Sequence, residues 1–374
     1  MNKPFRLPSP RLLLFGLVVL LLLTGGWAAL LRAGWSLPAP RPTLVGMHGP
    51  LMMGGLFGTL IALERAVAVA SLTRRKWHWS YLAPALGACS GLLLIVVGAE
   101  PLTKLCLLAS SVLLAWVYAY TATTRHYWSL HTGIMLVGAV AWVGGNILWF
   151  MGYPLYIVVH GWIAFLVLTI VGERLELSRV RRLTPRNEQL LVASISVYVL
   201  GVLLTVISLD MAVRVAGFGQ LLIALWLLRF DIAGHSVRRS GLTRYIAVCL
   251  LTGYIWLIAA GVLGMVSGAV YAGFHYDAVI HAVLAGFIFS MIFGHAPLII
   301  PALVGHQISY SAAFYLPLLL LHFSVLLREY SDLTLAFEGR KWAGMTSAVA
   351  VVLFMLLMVY RVMYQRRAAR QPEL

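Results

Sequence analysis

Histidine is the residue type in this sequence best suited to chemistry. The chain has eleven histidines among 374 residues, of which 61% are hydrophobic and only 11% charged. Six of them fall inside long apolar runs, where an ionisable group is costly to bury and is a functional candidate by default: His48, His131, His160, His281, His295 and His322. The other five lie at interface or loop positions, which favours ordinary solvated side chains: His78, His126, His235, His275 and His306.

Four of the buried histidines are expected at one depth. His48, His160 and His281 each lie about 4–5 residues inside the outer end of a predicted helix, and His322 lies about 5 residues before such an end. At 1.5 Å per residue, all four would lie roughly 6–8 Å below the outer boundary of the membrane. A haem iron takes two axial imidazoles from facing helices, and copper takes two or three that converge. The pattern predicts haem or metal ligation, with hydrogen bonding between helices as the simpler alternative.

His281 and His295 form a second pattern on one predicted helix. They are fourteen residues apart, which is about 21 Å of helix rise and about 40° short of whole turns. Both side chains are therefore expected to face nearly the same way, with Gly286 between them. The spacing resembles the histidine pairs of cytochrome b, which hold two haems on two such helices. It makes His295 a candidate ligand of a second haem.

Two pairs of adjacent charges lie near the inner ends of predicted helices. Glu64 and Arg65 occupy one helix, and Glu173 and Arg174 occupy another. Their similar positions predict cross-pairing of Glu64 with Arg174 and of Arg65 with Glu173. The alternative is a proton path that uses the carboxylates.

The apolar runs define the elements that carry these residues. Mean hydropathy is +0.91, and the runs are about 17–25 residues long, the length of a helix that crosses a bilayer. They do not alternate in polarity, which excludes a membrane barrel. The sequence therefore predicts an all-α polytopic membrane helix bundle, a single integral membrane domain over residues 1–374. About 12 transmembrane helices are expected near 11–32, 44–71, 80–99, 102–122, 129–151, 155–175, 189–209, 212–228, 245–269, 276–303, 311–327 and 342–361.

The distribution of basic residues predicts the orientation. If both termini are cytoplasmic (N-in/C-in), nineteen of the 28 Lys and Arg residues lie in cytoplasmic segments and seven in outer ones. This is the positive-inside pattern. The net charge of +16 is therefore explained by the lipid bilayer as partner, with no nucleic acid. The first apolar run resembles a signal peptide but is expected to remain as an uncleaved span.

Several other chemistries have no motif in the chain. The sequence contains no Walker motif, no Gly-x-Ser-x-Gly elbow, no His-Glu-x-x-His zinc motif and no Cys-x-x-Cys-His site for covalent haem. These absences remove the common nucleotide, hydrolase and zinc-protease interpretations.

The histidine positions resemble those of two families. Twelve spans with histidines on spans 2, 6 and 10 resemble the catalytic subunit of haem–copper oxidases and nitric oxide reductases. The glycine-rich stretch that His48 begins, at residues 47–58, is similar to the second span of the NnrS family, twelve-helix membrane proteins tied to nitric oxide. The resemblance implies haem b on His48 and His281, copper on His160 and His322, and a small gaseous ligand or an electron donor. It also implies the bacterial inner membrane.

Two other functions remain open from the residues. A proton- or ion-coupled secondary transporter would use Glu64 and Glu173 as coupling groups. A cytochrome b-like, quinol-linked electron carrier would use His281 and His295. Whether the protein is an enzyme, such as a haem-dependent oxidoreductase acting on nitric oxide or another small gas, stays open.

Overall fold

The protein is an all-α polytopic bundle. The computed structural model describes residues 9–73, 77–124, 128–178, 183–304 and 308–368. His126, His306 and the basic residues at 74–76, 125 and 179–182 lie outside them. Within this part the chain has no strands and twelve helices long and apolar enough to span a membrane. They are α1 Pro10–Arg32, α2 Pro42–Leu72, α3 Trp79–Val96, α4 Pro101–Thr124, α5 Leu130–Phe150, α6 Leu155–Leu177, α7 Pro185–Val206, α8 Leu209–Phe230, α9 Gly241–Ser267, α10 Phe274–Pro301, α11 Ala312–Leu333 and α12 Phe337–Gln365.

All twelve predicted spans are confirmed, with most ends shifted by a few residues. The largest shifts lie at the turn between α11 and α12. The prediction ended the eleventh span at 327 and began the twelfth at 342, because charged residues were taken as loop. In the structure, Arg328 and Asp332 lie within α11, and Arg340 lies within α12. The helices continue through these charges because the charges pair with one another inside the protein.

The packing order distinguishes central from peripheral helices. α6 is the most buried span, and its side chains from Val158 to Val171 are almost all enclosed. α1 and α12 are the least buried and lie at the edge of the bundle. Large apolar side chains such as Leu319 and Leu203 are exposed on the outer faces of their helices, as a lipid environment requires. The protein is therefore a multi-pass membrane protein with α6 at its centre.

Two helices depart from regular α geometry at matching places. In α2, residues Leu51–Gly58 adopt the wider π-helical form, and in α10, residues Ala282–Ile288 do the same. The first segment begins three residues after His48, and the second begins directly after His281. Such π segments are rare in proteins, and those that occur often lie at functional sites. Their positions direct attention to these two histidines.

Candidate functional site

His48 and His281 lie close together with parallel ring planes. Their ring centres are 6.4 Å apart, and the two ring planes differ by only 1°. The rings come from α2 and α10, the two helices with π-helical segments. Of the residues the sequence singled out, these are the two that the structure brings together as a pair of imidazoles.

Each of the two rings is held by its Nδ1 atom. His48 Nδ1 donates to the Gly25 carbonyl oxygen at 2.9 Å, and His281 Nδ1 donates to the Asp277 carbonyl oxygen at 3.0 Å. A carbonyl can only accept, so Nδ1 carries the proton in both rings and Nε2 keeps its lone pair. No described residue hydrogen-bonds to either Nε2 atom. Fixing the tautomer in this way is the usual preparation of a metal-binding histidine.

A buried charge network supports His281. The Asp277 carboxylate lies 3.2 Å from His281 Nδ1 and also pairs with Arg328 and Arg340. Arg340 reaches Asp332 as well, at 3.6 Å. The sequence analysis did not single out Asp277, although its place one helical turn before His281 was a usable signal. The network therefore places two arginines and two carboxylates beside His281 at this end of α10.

The two histidines border a large apolar space, here named the outer cleft. The space between protein atoms, including the part that is open to the surroundings, is about 1180 Å³. Its polar groups are the two imidazoles, Arg328 and Ser347. The remaining lining residues come mainly from α1, α2, α10, α11 and α12: Leu22, Leu23, Gly26, Trp27, Ala29, Leu30, Met52, Phe57, Leu284, Ala285, Phe289, Leu321, Gly344, Ala348, Val351 and Val352.

The glycines that open the cleft are not those of α2. Gly54 faces the Leu107 side chain, and Gly58 faces Trp142, so both serve helix packing. The cleft is bordered instead by Gly26 of α1 and Gly344 of α12. A β-carbon on Gly26 would meet no atom within 4 Å, so this position leaves room beside the histidines.

His322 does not join the pair at the same depth. It lies eleven residues before the end of α11 at Leu333, about 16 Å of helix, and Leu321 borders the cleft in its place. His322 Nδ1 accepts a hydrogen bond from Trp256 Nε1 at 3.0 Å, so its lone pair is occupied. Trp256 also packs against Gly286, the glycine between His281 and His295.

His160 stays a candidate copper ligand on the sequence pattern alone. It lies in the first half of α6, five residues after its start at Leu155. Among the described residues there is no group of three or more histidine, cysteine, aspartate or glutamate side chains arranged to hold a metal ion. The structure therefore adds no support to the copper expectation for His160 and His322.

His295 lies in a second space, here named the inner cavity. This space of about 1140 Å³ is lined by apolar residues of α1, α2, α6, α10 and α12 together with Glu64, Thr169, Glu173 and His295. His295 Nδ1 donates to the Met291 carbonyl oxygen at 2.7 Å, and its Nε2 atom is buried with no hydrogen-bond partner. The inner cavity adjoins the outer cleft, because Leu22, Phe57, Phe289 and Val351 border both.

The charged pairs near the inner cavity only partly follow the expectation. Arg65 pairs with Glu173, as the spacing predicted. The expected pair of Glu64 with Arg174 is wrong. Arg174 instead makes two hydrogen bonds of 2.9 Å to Asp231, a residue just after α8 that the sequence analysis missed. Glu64 forms no hydrogen bond or ion pair with any described residue, and it borders the inner cavity.

The chain matches one family model over nearly its whole length. The model is described as a domain of unknown function (DUF8744), and it covers residues 11–363. The chain belongs to the DUF8744 family. No curated protein and no solved structure matches it. For this member of the family the resemblance to NnrS proteins and haem–copper oxidases stays a prediction, and the site has to be argued from its own geometry.

Proposed function

We propose that the protein is a membrane haem protein in which His48 and His281 are the two axial ligands of one haem b. The observation that carries the proposal is the parallel pair of imidazoles with free Nε2 atoms at the edge of a large apolar cleft. Its role would be electron transfer within the membrane, which we place in the bacterial inner membrane on the strength of the sequence resemblance.

The ring spacing supports a single iron between the two histidines. A metal–nitrogen bond is about 2 Å, and a ring nitrogen lies about 1 Å from its ring centre, so two axial imidazoles have centres about 6 Å apart. The observed separation is 6.4 Å. Two stacked rings in van der Waals contact would be closer, and rings that merely line a cavity have no reason to be parallel. The spacing therefore suits an inserted ligand atom.

The lining of the outer cleft also suits a porphyrin. Its apolar side chains and Gly26 would contact the flat macrocycle. Arg328 borders the cleft, and Arg32 at the end of α1 is near enough to His48 to act on it electrostatically. Arginine is well suited to bind the two propionates. Asp277 would orient His281 and strengthen it as a ligand, the usual role of a carboxylate behind a metal-bound imidazole.

Ligation by two histidines would limit the chemistry that the bound haem can perform. Haem supplies reversible one-electron chemistry, and its reactivity is set by which axial positions the protein fills. With both positions occupied, no site remains for a gas to bind unless a histidine leaves. The proposal therefore favours electron transfer over direct binding of nitric oxide, and it does not include copper.

The test is the optical spectrum of the purified protein in detergent. We expect a Soret band and a sharp α-band on reduction, with one haem b per chain. His48→Ala and His281→Ala should each lose most of the haem, whereas His275→Ala, an exposed histidine earlier on the same helix, should keep it. A colourless wild-type protein that binds no added haem would overturn the proposal and favour the transporter alternative.

A second readout tests the ring geometry itself. Parallel imidazole planes split the iron orbitals, so the ferric protein should give a rhombic low-spin electron paramagnetic resonance spectrum. A high-spin spectrum would mean that one histidine is not a ligand. This measurement distinguishes a haem held by both residues from one held by either alone.

A further inference from the structure

The inner cavity has the opposite charge character to the outer cleft. Its polar groups are two carboxylates, Glu64 and Glu173, with one hydroxyl and one imidazole, and no arginine or lysine is among its lining residues. The nearby cation, Arg65, is already paired with Glu173. Haem propionates or any other anion would meet carboxylates there. The cavity therefore suits a neutral ligand, which argues against a second haem at His295.

Two unpartnered groups in the inner cavity are positioned to accept protons. His295 is 9% exposed, its Nδ1 is held by Met291, and its buried Nε2 lone pair has no partner. A buried acceptor without a donor costs free energy of roughly 1–3 kcal/mol. Glu64 borders the same space without a hydrogen bond or an ion pair to any described residue. Both would be satisfied by a ligand that carries hydroxyl groups.

The inner cavity can be reached from the lipid. Its lining includes the partly exposed side chains Phe15 and Val19 of α1 and Val351 and Met355 of α12. These two helices are the least buried in the bundle and contact each other only sparsely. A ligand that enters between them must itself be soluble in the membrane.

From these features we propose that the inner cavity binds the head group of an isoprenoid quinol, with His295 and Glu64 as acceptors for its two hydroxyl groups. On oxidation, the two O–H protons pass to His295 Nε2 and to the Glu64 carboxylate, and the quinol becomes the quinone. The two electrons of one quinol would be taken up by two one-electron acceptors of the ferric haem class, each reduced once. Binding stands on the inner cavity alone, and only the electron acceptor rests on the function proposed above.

The first arm of the experiment measures binding without any redox step. Purified protein in phospholipid nanodiscs, kept fully reduced with dithionite so that no electron transfer occurs, is titrated with decylubiquinol, and bound quinol is counted after separation from free ligand. We expect saturable binding of one quinol per chain, weakened at least tenfold in Glu64→Gln and His295→Gln. Matched controls are Glu188→Gln and His235→Gln, exposed residues on other segments, which should bind like the wild type.

The second arm measures electron transfer. Decylubiquinol should reduce the haem at least ten times more slowly in Glu64→Gln and His295→Gln, whereas dithionite should reduce wild type and variants alike. Melting temperatures check that each variant is folded. If a phospholipid acyl chain is the only occupant, the added quinol binds without saturation and the variants match the wild type, which overturns the proposal. If a colourless protein binds quinol saturably and the variants weaken this binding, the haem proposal is contradicted and the quinol site is supported.

Discussion

The outer cleft and the inner cavity are of similar size but differ in what holds their polar groups. In the outer cleft, two imidazoles are fixed to backbone carbonyls, and a carboxylate and arginines stand behind one of them. In the inner cavity, one imidazole and one carboxylate face the space without partners. The first arrangement suits the haem ligation proposed above, and the second suits the proposed proton exchange. The difference shows that burial of histidine alone does not identify its chemistry; the partner of each ring nitrogen does.

The largest expected effect is the loss of unfolding free energy on changing Asp231, which links the end of α8 to Arg174 of α6. It accepts two hydrogen bonds from Arg174 and one from Tyr254. Asp231→Ala leaves the buried Arg174 charge unpaired, which costs about 3–5 kcal/mol of unfolding free energy. Thermal and denaturant unfolding in detergent measure this loss. Asp210→Ala breaks an exposed pair with Arg214 and should cost far less, because solvent screens that pair. Equal losses in the two variants would contradict the assignment.

Asp277→Asn tests the outer cleft through its supporting carboxylate. Loss of a partner behind a metal-bound histidine typically lowers metal affinity about 10–100-fold. We expect faster haem loss to apomyoglobin by about that factor and a raised reduction potential, because a negative charge near the iron is removed. Quinol binding in the inner cavity should not change. If haem retention and reduction potential were the same as in the wild type, Asp277 would have no role in supporting the haem.

Gly26→Leu tests whether the outer cleft is the porphyrin pocket. The new side chain has room but competes with a ligand for it, and overpacking costs about 1–3 kcal/mol. This corresponds to roughly tenfold weaker haem binding, measured by haem content at limiting haem. Ala296→Leu, which fills the inner cavity, should leave haem content unchanged. If Ala296→Leu lowered haem content and Gly26→Leu did not, the inner cavity would be the porphyrin pocket instead.

The smallest effect is expected at His322. His322→Gln should lower stability by about 1 kcal/mol, the value of one hydrogen bond from Trp256, and should leave haem and metal contents as in the wild type. Elemental analysis and thermal unfolding check both. Copper present in the wild type and lost in this variant would instead support the copper expectation.

The sequence was sufficient to predict the helices but only part of the site. Apolar runs and basic loops predicted all twelve spans, and the depth of His48 and His281 predicted their meeting, because depth follows from helix rise alone. The depth argument failed for His322, since charges that pair internally extended α11 to Leu333. The ion pair between Arg174 and Asp231 was also not predicted, because it depends on packing between helices that are distant in sequence. The π segments were missed because a 3.6-residue period assumes a regular helix.

The two π segments have a consequence for how the protein can vary. In α2 the order along the chain is His48, the segment Leu51–Gly58, then Glu64. In α10 it is His281, the segment Ala282–Ile288, then His295. Each segment thus separates a proposed haem ligand from a proposed proton acceptor on the same helix. Removing a single residue from either segment would turn everything beyond it by about 100°. The imidazole above would stay in place, so one-residue deletions offer a route to relatives that keep one site and lose the other.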